Sequence, residues 1–246
     1  MEKANFGVAY TALLLTTAAF MPTAANAGTI DLSWDKCSPV VSDKAIGSGS
    51  YAPLLVSVLG HDQPHRAYEF WIAIGDDSNA TPDAWRFDDA GCQGPGRITI
   101  DHMNSSTVVK TCPSFQGALA SVQVKGYLPS PAHLGLPRGM SVVALANAYS
   151  PANFIEVNPA MRYFLGRILF DHQLSVPGSA GEPGTCGGVE HGMCLRLIPE
   201  RCNWVNESGQ EIRFTIGSGS ATANGGCRAV PAANSTWGQI KGQYRR

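Results

Sequence analysis

Three groups of side chains have types and spacings that could do chemistry. The densest is His61-Asp62-Gln63-Pro64-His65. Two histidines four residues apart share a metal when a helix carries them. Pro64 rules out that helix and makes this a turn between strands, whose plain reading is a solvated hairpin loop. The second group is Asp76-Asp77-Ser78-Asn79, followed by Asp83, Asp88 and Asp89. Calcium takes about six to eight oxygens from closely spaced Asp, Asn and carbonyl groups. It is the ion candidate here, with Asp76, Asp77 and Asn79 as ligands; the competing reading is a turn leading into a capped helix, because the Gly and terminal Glu of an EF-hand are missing. The third group is the acidic residues Glu69, Asp76, Asp101, Glu156 and Asp171. Glycoside hydrolysis needs two such carboxylates facing one bond, and sequence spacing sets no two of these at a catalytic separation.

Commoner catalytic signatures are missing. There is no G-x-S-x-G elbow, no Gly-x-Gly-x-x-Gly fingerprint, no P-loop and no His-Glu-x-x-His. One binding candidate remains. Trp71 lies on the opposite parity to Phe70 and Ile72, so it belongs on the outer face of its strand. There it could stack on a sugar ring or meet a partner, unless a neighbouring segment covers it.

The elements that position these residues are strands. Tyr68, Phe70, Ile72 and Ile74 alternate with Glu69 and Ala73; Ile98 and Ile100 with Thr99 and Asp101; Val122 and Val124 with Ser121, Gln123 and Lys125. Met193, Leu195 and Leu197 alternate with Cys194 and Arg196, and Ile212, Phe214 and Ile216 with Glu211, Arg213 and Thr215. Each predicts a strand with one dry and one wet face. Met140–Ala146 and Tyr163–Phe170 are nearly continuous in apolar residues and suit central strands, and Thr29–Trp34 and Leu54–Leu59 are shorter candidates. One short helix is expected at Thr81–Phe87, with Thr81 as cap, Pro82 in the first turn and Asp83 at the positive end of the dipole. Many strands and one short helix predict an all-β fold, a two-sheet β-sandwich of immunoglobulin-like or jelly-roll-like type, stapled by local disulfides.

Composition narrows the class. The 246 residues are 44% hydrophobic and 15% charged, and 18 Lys+Arg against 19 Asp+Glu leave a net charge of −1. That apolar content excludes a disordered chain, and the charge balance offers no field for nucleic acid or anionic lipid. Residues 1–27 read as a signal peptide: Lys3 in a short basic region, an apolar run from Val8 to Phe20, then Pro22 and Ala25-Asn26-Ala27 before Gly28. The apolar run falls short of the roughly 20 residues a span needs, and no later stretch is long enough. The expectation is therefore a secreted chain (extracellular, cell-surface or periplasmic) with a single domain over 28–246 and no transmembrane segment after cleavage.

All seven cysteines follow the signal, and in an oxidising compartment they read as disulfides. Local spacing pairs Cys186 with Cys194, Cys202 with Cys227 and Cys92 with Cys112, leaving Cys37 as the odd one: a buried, inert thiol, or else an intermolecular disulfide or a nucleophile. No C-x-x-C occurs, which argues against zinc.

The order of short motifs resembles a group of uncharacterised secreted proteins from environmental bacteria. The matching pieces are Leu32-Ser33-Trp34-x-x-Cys37, Thr81 to Phe87 leading to Gly91-Cys92, Tyr163-Phe164, Cys186-Gly187-Gly188…Cys194-Leu195 and Ser235-Thr236-Trp237. In that group a second cysteine follows the first by about ten residues. Its absence over Ala45–Tyr51 would explain why Cys37 lacks a partner. The resemblance implies a secreted β domain and carries no catalytic residue with it.

Together these readings point to a non-catalytic secreted β-sandwich that binds or assembles, with an extracellular glycan or an envelope protein as partner and no cofactor beyond the calcium candidate. The alternative is a secreted carbohydrate-active enzyme using paired carboxylates.

Overall fold

Strict alternation in the sequence becomes two packed sheets in the computed structural model, which describes residues 28–102, 112–114, 120–129, 139–150, 156–176 and 186–226. The expected signal segment, Cys227 and Trp237 lie outside the described residues. Thirteen strands are seen among the described residues: β1 (Thr29–Trp34), β2 (Asp43–Lys44), β3 (Tyr51–Leu59), β4 (His65–Gly75), β5 (Ile98–Asp101), β6 (Ala120–Pro129), β7 (Ser141–Tyr149), β8 (Arg162–Asp171), β9 (Met193–Leu197), β10 (Asn203–Asn206), β11 (Glu211–Arg213), β12 (Thr215–Ile216) and β13 (Ser220–Ala223).

Sheet A runs β12-β1-β3-β8-β5. Sheet B is built around β4. One edge of β4 pairs antiparallel with β7, which pairs in turn with β6. The other edge is shared, β10 taking its first half and β9 its second. Beyond them lie β11 on one side and β13 and β2 on the other. Facing sheets bury alternate residues of each strand, and the core shows it. Leu54, Val56, Val58, Ile168 and Phe170 of sheet A meet Tyr68, Phe70, Ile72, Val143, Leu145 and Leu195 of sheet B. Tyr68 donates its hydroxyl to the Leu165 carbonyl across that core at 2.7 Å. At Gly166 the two sheets pack closely: a methyl there would stand 2.9 Å from Phe70 Cζ and 3.3 Å from Leu145 Cδ1.

The helix expected at Thr81–Phe87 is a single 3-10 turn, Asp83–Trp85. The Thr81 hydroxyl is tied to the sheet instead of capping: it donates to the Ile74 carbonyl (2.9 Å) and accepts from the Ser141 amide (3.0 Å). Burial of Trp85 and Phe87 against Phe170 outweighs the weak local preference of so short a helix.

The strand expected at Ile212–Ile216 divides. β11 joins β10 in sheet B, whereas β12 runs parallel to β1 in sheet A. Phe214 lies between the two pieces, buried, with its amide on the Cys202 carbonyl. A chain that changes sheets at a corner keeps its period-two pattern while exchanging partners, so alternation alone does not show the break.

The expected sulfur pairing is corrected throughout. Cys37 bonds Cys112, and Cys92 bonds Cys186. Cys194 is also in a disulfide, while Cys202 carries a buried free thiol. Cys202 is therefore the odd residue, not Cys37, and no bridge joins Cys186 to Cys194, Cys92 to Cys112 or Cys202 to Cys227. Proximity in sequence misled because a sandwich brings together loops that are distant along the chain. Here the bonded pairs are 75 and 94 residues apart. Cys37 and Cys112 pack with Leu55 and Phe164 in a small second apolar cluster.

Candidate functional site

An exposed valine of sheet B is on β6. Alternation places Val124 with the dry face of its strand, yet Val124 is 66% exposed. The polar face of β6 turns toward sheet A instead. Gln123 bonds His102, Lys125 Nζ donates to the Ile100 carbonyl at 2.7 Å, and the Tyr127 hydroxyl bonds the Trp85 carbonyl (3.0 Å) and Ser141 Oγ (2.7 Å). Burial pushes the Tyr127 hydroxyl up to about 12. The sequence held one sign of this reversal, since Tyr127, a residue with a large apolar ring, shares the parity of Gln123 and Lys125.

Val124 stands opposite Ala146, which stands opposite Glu69; Ala148 stands opposite Ala67, and Val205 of β10 lies on the far side of Ala67. These small apolar residues line a groove of about 420 Å³, together with Glu69, Arg201, Asn203 and Glu211. Asn203 is 4% exposed, and its Nδ2 donates to Glu69 Oε1 (3.4 Å) and to the Glu200 carbonyl (3.3 Å). Its Oδ1 has no donor among the described residues. No Lys, Arg or His among the described residues forms an ion pair with Glu69 or Glu211. Sequence reading singled out Glu69 but missed Asn203, Glu211 and Val124, because pairing β10 and β11 with β4 is a long-range event.

Trp71 follows Glu69 by two positions on the same face of β4. It is half-buried, and the guanidinium of Arg201 stands 5.0 Å over its ring. Arg201 ends the 3-10 turn Pro199–Arg201, and the Ile198 amide of that segment bonds the Trp71 carbonyl at 2.9 Å. The expected exposed aromatic is thus already covered by a cation.

Asp76, Asp77 and Asn79 follow β4. Asp76 Oδ1 accepts from the Ser78 amide (2.8 Å), the Ser78 hydroxyl (2.6 Å) and the Ala80 amide (2.9 Å). Burial raises the Asp76 pKa, but these hydrogen bonds outweigh it and hold the carboxyl below its ordinary value. Asn79 sits at φ 60° in the same turn. Among the described residues no three of His, Cys, Asp and Glu form a group able to hold a metal ion.

The His61–His65 turn is not a solvated loop. Both imidazoles are fully buried. His61 stacks on Trp204 with ring centroids 3.7 Å apart and planes 8° from parallel, and His65 meets Tyr149 edge-on. Burial lowers the His61 pKa to about 4. At the end of β8, His172 is likewise buried, bonds the Ala84 carbonyl through Nδ1 and is lowered by burial to about 4. Of the remaining carboxylate candidates, Asp101 pairs with Arg167 (2.8 Å) and Asp171 with Arg97 (2.9 Å), while Glu156 is exposed. Asn206 Oδ1 accepts from the Ser208 hydroxyl and from the Gln210 amide, closing the turn after β10.

No family model matches the chain, and no curated protein matches it. Solved structures do, at low identity. The sixth cohesin from Acetivibrio cellulolyticus scaffoldin B, in complex with a Cel5 dockerin mutant, is 9% identical with a TM-score of 0.39, over 80% of this chain and 98% of that one. A cohesin module from a Clostridium perfringens family 33 glycoside hydrolase is 12% identical with a TM-score of 0.39, over 81% and 98%. A non-cellulosomal cohesin from Archaeoglobus fulgidus is 11% identical with a TM-score of 0.31, over 80% and 88%.

Proposed function

We propose that this protein is an exported, non-catalytic binding or assembly module that docks a partner protein on the outer face of sheet B. The observation that carries the reading is the reversal of β6. A strand that hydrogen-bonds its polar side chains toward the other sheet and turns Val124 to solvent has the face of a contact surface, not of a solvated edge. The neighbouring alanines continue that surface across β7 and β4. Export is supported by the signal pattern and by the disulfides, and no helix among the described residues is long and apolar enough to cross a membrane.

One observation favours the alternative of a carbohydrate-active enzyme: Glu69 and Glu211 share a groove. Their strands, β4 and β11, are separated by β10, so their backbones lie two strand spacings, roughly 10 Å, apart. Tyr68 is the one aromatic residue lining the groove among those described, and its ring is buried in the core.

The test uses protein beginning at Gly28 on glycan arrays and against envelope proteins, with polysaccharide hydrolysis measured in parallel. Binding to an envelope protein that is lost on Val124→Asp, with no turnover, is the expected result. Turnover abolished by Glu69→Gln, without any such binding, would overturn the reading.

A further inference from the structure

We propose that the groove on sheet B seats an arginine side chain of the partner protein, its guanidinium held by Glu69, Glu211 and the side-chain carbonyl of Asn203. The proposal rests on the reading of that face as a docking surface and names what the surface recognises.

The charged lining of the groove is acidic on balance. Glu69 and Glu211 bring two carboxylates against the one guanidinium of Arg201, and neither forms an ion pair with a cation among the described residues. Asn203 adds an acceptor: its Oδ1 has no donor among the described residues, although the residue is 4% exposed. A buried acceptor left without a donor is costly, so a ligand that supplies one is favoured. Asn203 Nδ2 already serves Glu69 and the Glu200 carbonyl, and the Arg201 guanidinium stands over Trp71 without an ion pair to either carboxylate. Two carboxylates and an open acceptor favour a group that only donates.

The floor decides between the two cations that meet this requirement. Ala67, Ala146 and Ala148 keep it low, and Val124 and Val205 wall it with methyl groups. A guanidinium is planar, weakly hydrated and carries five donors in a fork, so it lies on an apolar floor while bonding carboxylates at its rim. An ammonium is compact and strongly hydrated, and would lose its water here for fewer bonds. The excess acidic charge of the groove complements the cation, and its apolar walls complement the methylene stem.

The experiment selects short random peptides, displayed on phage, against immobilised protein beginning at Gly28. Enriched peptides are then synthesised and titrated by calorimetry. Arginine is expected to recur among them. Replacing it by citrulline, or the protein by the Glu69→Gln/Glu211→Gln double variant, is expected to weaken binding by about tenfold or more, and added salt to weaken it further. Circular dichroism and melting of the double variant exclude misfolding. Enriched peptides that lack arginine, or that bind the double variant unchanged, overturn the proposal, as does failure to enrich any peptide. Val124→Asp separates the two readings. Peptides lost on Val124→Asp but indifferent to the double variant leave the docking face standing without an arginine seat, whereas peptides indifferent to both sink the docking face as well.

Discussion

Lys125 Nζ donates to the carbonyl of Ile100 at 2.7 Å and so joins β6, at the margin of sheet B, to β5, at the margin of sheet A. A cation on such a marginal strand is also a device against edge-to-edge pairing. Lys125→Met keeps most of the stem and removes the bond. It is expected to lower stability by about 1 kcal/mol, read as a lower melting temperature by calorimetry. An unchanged melting temperature would show that the two margins are held by other contacts.

Gly166 and Gly126 form a matched pair for testing the core. Alanine at 166 places its methyl 2.9 Å from Phe70 Cζ, whereas at 126 it meets nothing within 4 Å. Gly166→Ala should cost about 1–3 kcal/mol through overpacking, and Gly126→Ala less than about 0.5 kcal/mol in either direction. Urea titration of both variants checks the contrast, and equal effects would contradict the sheet packing.

Stability falls with acid in a defined window. His61 and His172 are lowered to about 4 by burial, from an ordinary value of 6.5. Between those values the unfolded chain binds protons that the folded one does not, so stability is full above about 6.5 and declines as the pH falls toward 4. Each shift corresponds to on the order of 3 kcal/mol once complete. Denaturant midpoints measured from pH 7 to 5, mostly above the carboxylate range, should decrease. His61→Phe, which retains a ring against Trp204, should shallow the decline, and a flat profile would contradict neutral burial of these rings.

Sulfur chemistry gives a fourth independent check. Burial pushes the Cys202 thiol up to about 12, so native protein should resist alkylation there at neutral pH and react once unfolded. Mass spectrometry of an unreduced digest should show the Cys37–Cys112 and Cys92–Cys186 crosslinks. Each bridge closes a loop long enough for about 4 kcal/mol of chain-entropy stabilisation. Replacing both residues of either pair by serine should therefore lower the urea midpoint substantially.

Alternation was sufficient to read β4 and β9 from the sequence, because Phe70, Ile72, Met193 and Leu195 repeat at the period of a pleated strand and a sheet has only two faces to offer. The same local regularity placed Trp71 on the outer face of its strand. Local pattern could not say which face of β6 meets the other sheet. Val124 and Lys125 satisfy either phase, and the choice is made by contacts with Ile100, Trp85 and Ser141 from distant parts of the chain. The disulfide partners, the burial of His61 under Trp204 and the meeting of Glu69 with Asn203 and Glu211 have the same origin. Periodicity sets what each strand can bury. Which strands become neighbours depends on the collective packing of the sandwich, and the groove exists only once they are.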